Sequence, residues 1–213
     1  MGRLLRKLGS TLFKPRKGVL ESLLVARTKS GDLSAFEEIV SMYEDMICRI
    51  AMAILSNRMD AEETAQDVFL TIFEKIDTFK GEAHFSTWVY RITVNAALMR
   101  LRREQKASYV PLDDLLPEFN DMGKMVSHIN DWSRQADEVF LRDEAKEIIH
   151  AAVDKLEEKY KTVFILRDVE NLSNEETASI LELSIPAVKS RLHRARLFLR
   201  KELSSYFEEY CTG

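Results

Sequence analysis

Two groups of side chains in this 213-residue chain have types and spacings suited to chemistry, and both suit nucleic acid better than a reacting small molecule. The first lies in IPAVKSRLHRARLFLRKEL, residues 185–203. At about 100° per residue, Val188, Leu192, Ala195 and Leu199 fall on one apolar stripe. The opposite side carries Pro186, Ser190 and His193, with Lys189 and Arg194 towards its edges, while Arg191 and Arg196 flank the stripe. A helix of this kind fits a DNA major groove, its short polar and cationic side chains meeting base edges and its flanking guanidinium groups meeting phosphate. The second group lies in DTFKGEAHFSTWVYRITVNAALMRLRR, residues 77–103. There Phe79, Phe85, Trp88 and Tyr90 crowd around the loop Lys80 to His84, and the following helix has one continuous polar line, Arg91, Asn95 and Arg102. Aromatic faces beside a basic line suit unstacked single-stranded bases, held at their phosphates by the guanidinium groups. The same aromatics also suit a core, and a partly buried Trp88 can serve both ends.

Other chemistries find no support in the residues. His84, His128, His150 and His193 are scattered without ligand spacing, and no nucleophile motif occurs. No catalytic residue, metal, cofactor or small-molecule substrate is therefore expected. Cys48 and Cys211 are far apart and suggest neither a disulfide framework nor a zinc site. The net charge of −4 argues against a protein that grips bare duplex unaided, because non-specific affinity comes from neutralising phosphates. No apolar run approaches the roughly 20 residues of a membrane span, and the N-terminus lacks the apolar core of a signal peptide, so a cytoplasmic chain is expected.

The elements that position the two groups are helical. Ser173 and Glu176 form a capping-box pair opening a short helix, Glu182 to Ser184 make a corner, and Ser184 caps the next helix with Pro186 in its first turn. This reads as a helix-turn-helix, with small Ala178 at the crossing. Upstream, residues 34–55 place Phe36, Ile39, Val40, Tyr43, Ile47, Ile50, Ala51 and Ile54 at helical spacing. Asp60 with Glu63 repeats the capping-box pattern and is expected to open a helix with the stripe Ala65, Val68, Phe69, Ile72, Phe73 and Ile76. Its other face carries Glu63, Asp67, Leu70 and Glu74, and a leucine among acids points to docking. Residues 104–135, with Pro111, Pro117 and scattered acids, read as a flexible linker. The expectation is an all-α chain of two small helical domains, 19–103 and 136–205, joined by that linker and preceded by a basic extension, 1–18.

Several of these runs resemble the extracytoplasmic-function (ECF) sigma factors of bacterial RNA polymerase. LEEKYKTVFILRDVENLSNEETASILELSIPAVKSRLHRARLFLRKEL resembles region 4, which reads the minus-thirty-five promoter element. DAEETAQDVFLTIFEKI resembles the region 2 helix that docks on the coiled coil of the polymerase's largest subunit, and FKGEAHFSTWVYRITVNAAL its promoter-melting segment. The resemblance implies core polymerase, at that coiled coil and at its flap, as a partner, together with promoter DNA and an anti-sigma factor. It implies polymerase binding by Glu63, Gln66, Asp67 and Leu70. It implies minus-ten recognition and melting by Phe79, Phe85, Trp88, Arg91, Asn95 and Arg102, with Phe79 and Asn95 shaping a pocket for a flipped base. Minus-thirty-five recognition falls to Lys189, Ser190, Arg191, His193, Arg194 and Arg196. Two departures stand out: Glu182 and Asn171 occupy positions where that family often has glycine. The alternative reading is a stand-alone helix-turn-helix regulator, against which the Phe79 to Arg103 segment speaks.

Overall fold

Apolar residues recur at helical spacing through both halves of the chain, and every element among the described residues is a helix. The structure is a computed structural model and describes residues 19–104 and 143–211; the predicted extension 1–18 and nearly all of the predicted linker lie outside the described residues. Helix α1 is Val19–Lys29, α2 Leu33–Leu55 and α3 Arg58–Lys75, which runs on into a 3-10 turn, Ile76–Thr78; α4 is Phe85–Glu104. After the linker come α5, Asp143–Asp154, and α6, Glu158–Phe164, which passes into a π-helical turn, Ile165–Val169. Then follow α7, Asn174–Leu181, and α8, Ile185–Cys211. The described helices fall into two compact units, one of α1 to α4 with residues 175–183, the other of α5, α6 with the π turn, and α8.

In the first unit α2 is the central element, packed against α1, α3 and α4. Ile39, Ile47, Ile50 and Ile54 of α2 are fully buried against Leu24, Val68, Ile72 and Val89 from the other helices, each such side chain contributing about 1.5–3 kcal/mol. The corner before α2 is closed by Asp32, whose carboxylate accepts from the amides of Ser34 and Ala35 and pairs with Arg27 at 2.8 Å. The bonds from Ser34 and then Arg27 hold its carboxyl down at about 2. Buried Tyr43 donates its hydroxyl to Glu21, joining α2 to α1, and burial followed by that bond pushes its phenol far up.

The start of α3 differs from expectation. Asn57, not Asp60, caps it, its side-chain oxygen accepting from the amides of Met59 at 2.9 Å and Asp60 at 3.2 Å. Ser56, ending α2 in the left-handed region with φ 56°, turns the chain so sharply that the new helix begins three residues earlier than the sequence suggested. Asp60 and Glu63 are released from capping and take up Arg100 of α4 instead, at 2.6 and 2.8 Å.

In the second unit α8 packs on α6 and α5. Val188, Leu192, Ala195 and Leu199, the predicted stripe, are all buried, joined by Phe198 and Leu203. They meet a core in which Tyr160, Val163, Phe164, Ile165 and Leu166 are also buried. Lys161 buries its stem and reaches Asp154 at 2.8 Å. Asn171 and Glu182 both adopt left-handed backbone, with φ of 57° and 55°, at the two positions where glycine would carry no penalty. Asn accepts this readily, whereas Glu182 stores about 1 kcal/mol. Beyond Glu182 the amide of Leu183 bonds back to the carbonyl of Ala178, and Ser184 caps α8 through its hydroxyl to the amide of Ala187 at 3.3 Å. The short corner at Glu182 to Ser184 is as predicted.

Candidate nucleic-acid interface

On α8 the burial of the stripe decides which side chains are free to meet a ligand. Lys189, Ser190, His193 and Arg194 are exposed on the opposite side, within the first three turns. Arg194 is steadied by a hydrogen bond of 3.2 Å to the hydroxyl of Tyr160 on α6, so its guanidinium does not sweep freely. Arg191 is half-buried beside the stripe.

Arg196 requires a correction. Its Nε and Nη2 donate to the two carboxylate oxygens of Asp168 at 2.8 and 2.6 Å, and Asp168 is only 4% exposed. A buried carboxylate needs a partner, and the planar guanidinium matches it at two points. Asp168 raises the already high guanidinium pKa further, ahead of the opposing effect of burial. Arg196 is therefore committed to the interior, and its predicted role at phosphate is secondary to that ion pair. The sequence signal for this was Asp168 inside the apolar run TVFILRDV, where an unpaired acid would be costly.

On the first unit, Phe79, Phe85 and Trp88 do converge, with ring centres 5.2 Å apart for Phe79 and Phe85 and 5.5 Å apart for the other two pairs. Their roles separate. Phe85 is 3% exposed and stands edge-on to Tyr43 of α2 at 5.7 Å, which makes it the floor of the cluster and unable to stack on a base, contrary to the prediction. Phe79 and Trp88 are half-buried and line a depression of about 250 Å³ with Thr78, Gly81, Ala83 and Arg91. Gly81, at φ 77°, makes the tight turn in the loop that forms its rim. Asn95 is exposed one turn beyond Arg91 on the same face of α4 but does not line the depression. Arg102 is exposed about 16 Å along the helix from Arg91, so the predicted set is a line leading away from the depression and not one cluster.

The outer face of α3 presents Glu63, Gln66, Asp67 and Leu70, all exposed, with Leu70 at 61%. Phe73, exposed at 45% and stacked 5.0 Å from Phe36, continues this face where the sequence placed it in the core. The Arg100 bond holds the Glu63 carboxyl below the usual carboxylate range, so this end of the face stays negative. No group of side chains that could hold a metal ion occurs among the described residues. None of the described helices is long and apolar enough to cross a membrane.

An exposed polar face on a packed helix, an aromatic depression and an acidic helix face with leucine are the three surfaces of the resemblance noted in the sequence, and the comparisons with known proteins bear on that resemblance directly. Residues 39–107 match the sigma-70 region 2 family and residues 146–199 match sigma-70, region 4. The ECF RNA polymerase sigma factor SigW of Bacillus subtilis is 34% identical over 184 residues, covering 84% of this chain and 94% of that protein. The chain belongs to the ECF sigma factors. The ECF RNA polymerase sigma-E factor of Haemophilus influenzae is 31% identical, covering 86% and 95%. Among solved structures, CnrH in complex with the cytosolic domain of CnrY matches with a TM-score of 0.61 at 21% identity, over 88% of this chain and 99% of that one. The sigma factor RpoE of Bartonella quintana, in complex with the anti-sigma factor NepR, matches with a TM-score of 0.54 at 18% identity, over 79% and 96%. These two likenesses concern the fold. As an ECF sigma factor, the protein is a transcription-initiation subunit that binds RNA polymerase and directs it to promoters, and a stand-alone regulator is not favoured.

Proposed function

We propose that the three surfaces divide the work of this sigma factor as follows. Residues 19–103 act as region 2 and 136–205 as region 4, with the intervening segment as linker. Glu63, Gln66, Asp67 and Leu70 on α3 dock on the coiled coil of the largest polymerase subunit, and region 4 meets the flap. The depression between Phe79 and Trp88, bordered by Arg91 and followed by Asn95 and Arg102, takes the unpaired minus-ten strand. Lys189, Ser190, His193 and Arg194 read the minus-thirty-five duplex, with Arg191 on phosphate. The subunit itself is non-catalytic and works in the cytoplasm, where the polymerase is. RpoE is bound to an anti-sigma factor, and an antagonist of that class is the expected regulator here.

The observation that carries this reading is the presence, on one helical unit, of both an exposed acidic face with Leu70 and an open aromatic depression lined by Phe79 and Trp88. A protein that only reads duplex DNA has no use for the second. The test is to add the purified chain to bacterial core polymerase and map transcripts from genomic fragments. Transcripts with new start sites sharing two upstream elements support the reading. Promoter binding by the free chain as tight as that of its polymerase complex would count against it, because the tethered domains are expected to gain affinity when polymerase fixes their spacing.

A further inference from the structure

Lys29 is the last residue of α1, and nothing in the sequence distinguished it from any other surface lysine. In the fold its ammonium donates to the carbonyl of Phe79 at 2.6 Å and lies 3.5 Å from the carbonyl of Asp77. It also sits 6.0 Å from the centre of the Phe79 ring. Asp77 and Phe79 belong to the end of the 3-10 turn that continues α3, where carbonyls point outward and a cation is favoured. Lys29 is not among the residues lining the depression, so it stands behind Phe79 and does not face the ligand.

The anchor itself is firm. Thr28 bonds back to the carbonyl of Leu24 at 2.8 Å, the amide of Gly31 to the carbonyl of Thr28 at 2.9 Å, and Arg27 clamps Asp32 across the corner. The segment it holds is less firmly fixed by its own packing. Residues 80–84 are all exposed, Gly81 gives the turn, and Phe79 is the joint between that loop and the helical body.

We infer that Lys29 is a positioning residue for minus-ten base reading, fixing the backbone of Phe79 so that the wall of the depression is set before DNA arrives. The inference rests on the reading of that depression as the site of the unpaired base. A wall held in place beforehand avoids an ordering cost on binding, and selects among bases more sharply than one that adapts to each of them. The effect of Lys29 is thus on discrimination, exerted through Phe79, and not on affinity for DNA in general.

The experiment uses the holoenzyme assembled with core polymerase and a set of fork-junction promoters, each minus-ten position replaced in turn by the four bases. Three variants are compared with the wild type: Lys29→Met, Lys29→Arg and Asn95→Ala. Lys29→Met should assemble normally and lose roughly threefold to tenfold in discrimination at one minus-ten position, as expected for one charge-assisted hydrogen bond. Lys29→Arg, which keeps a cationic donor, should restore most of it. The slope of log affinity against log salt should not change, because a direct phosphate contact would lower that slope by about one and positioning does not. Unchanged base ranking in Lys29→Met, a reduced salt slope, or failed assembly would each overturn the inference. If Asn95→Ala shifts base preference and Lys29→Met does not, only this inference falls. If neither does, the reading of the depression falls with it.

Discussion

Arg196 and Asp168 are bound at two points, through contacts of 2.8 and 2.6 Å, across the interface between α8 and the π turn. Because Asp168 is buried, removing the guanidinium leaves a charged carboxylate in the interior. Arg196→Ala should therefore lower stability by about 1–3 kcal/mol. Thermal denaturation would show it, and Asp168→Asn combined with Arg196→Ala should recover part of the loss. An Arg196→Ala protein as stable as the wild type but deficient only in promoter binding would return this residue to the DNA-contacting set.

Docking and melting should separate within the first unit. Asp67→Arg reverses charge at the centre of the exposed α3 face and should reduce co-purification with core polymerase. Asn95→Ala should leave assembly intact and reduce permanganate reactivity of minus-ten thymines. Normal assembly by Asp67→Arg would refute the docking assignment.

On α8, Arg194→Ala should narrow the advantage of a preferred minus-thirty-five sequence over a scrambled one, since a cation bonded to a base edge discriminates by roughly 1–3 kcal/mol. Tyr160→Phe removes the hydroxyl that steadies Arg194 and should produce the same change in weaker form. Arg200→Ala, half-buried and a turn and a half beyond, should act equally on both promoters or hardly at all. Transcription from a matched promoter pair at two salt concentrations measures all three. An equal loss on both promoters for Arg194→Ala would mean that the wrong face has been placed in the groove.

Asp32 gives a prediction in pH. Its carboxyl is lowered from the ordinary 3.8 to about 2, first by the bond from Ser34 and then by Arg27. A depressed carboxyl stabilises the fold fully above its unfolded value, and that contribution disappears as the pH falls through the folded one. A carbon-detected titration should find the Asp32 midpoint near 2, and Ser34→Ala should move it upward. A midpoint close to 3.8 in the wild type would contradict the capped geometry.

How legible the fold was depended on whether the deciding interaction was local. The α8 stripe, the Ser184 cap and the left-handed Asn171 and Glu182 follow from neighbours in sequence, and each was readable there. Asn57 was misjudged because Asp60 and Glu63 have the same spacing as a cap, and only the sharp turn at Ser56 decides between them. The site was harder. That Phe85 is floor and Trp88 is wall depends on Tyr43, forty-two residues upstream of Phe85, and that Arg196 is committed inward depends on Asp168, twenty-eight residues away. Lys29 was invisible for the same reason, lying fifty residues from Phe79.

The π turn between α6 and the chain leading to α7 has a consequence for how this segment tolerates change in length. A π turn closes its bonds over five residues, as the amide of Glu170 does to the carbonyl of Ile165 at 2.8 Å, and so contains one residue more than a plain helix would. That extra residue acts as a phase adjuster. Deleting one position between 165 and 169 would leave the apolar run long enough to continue as ordinary α-helix, yet would rotate everything after it by about 100°. The Asp168 carboxylate would swing away from Arg196, and Leu166 and Val169 would exchange faces. A single deletion here should thus be more damaging than the loss of any one side chain in the turn, although the backbone it leaves behind would be the more regular.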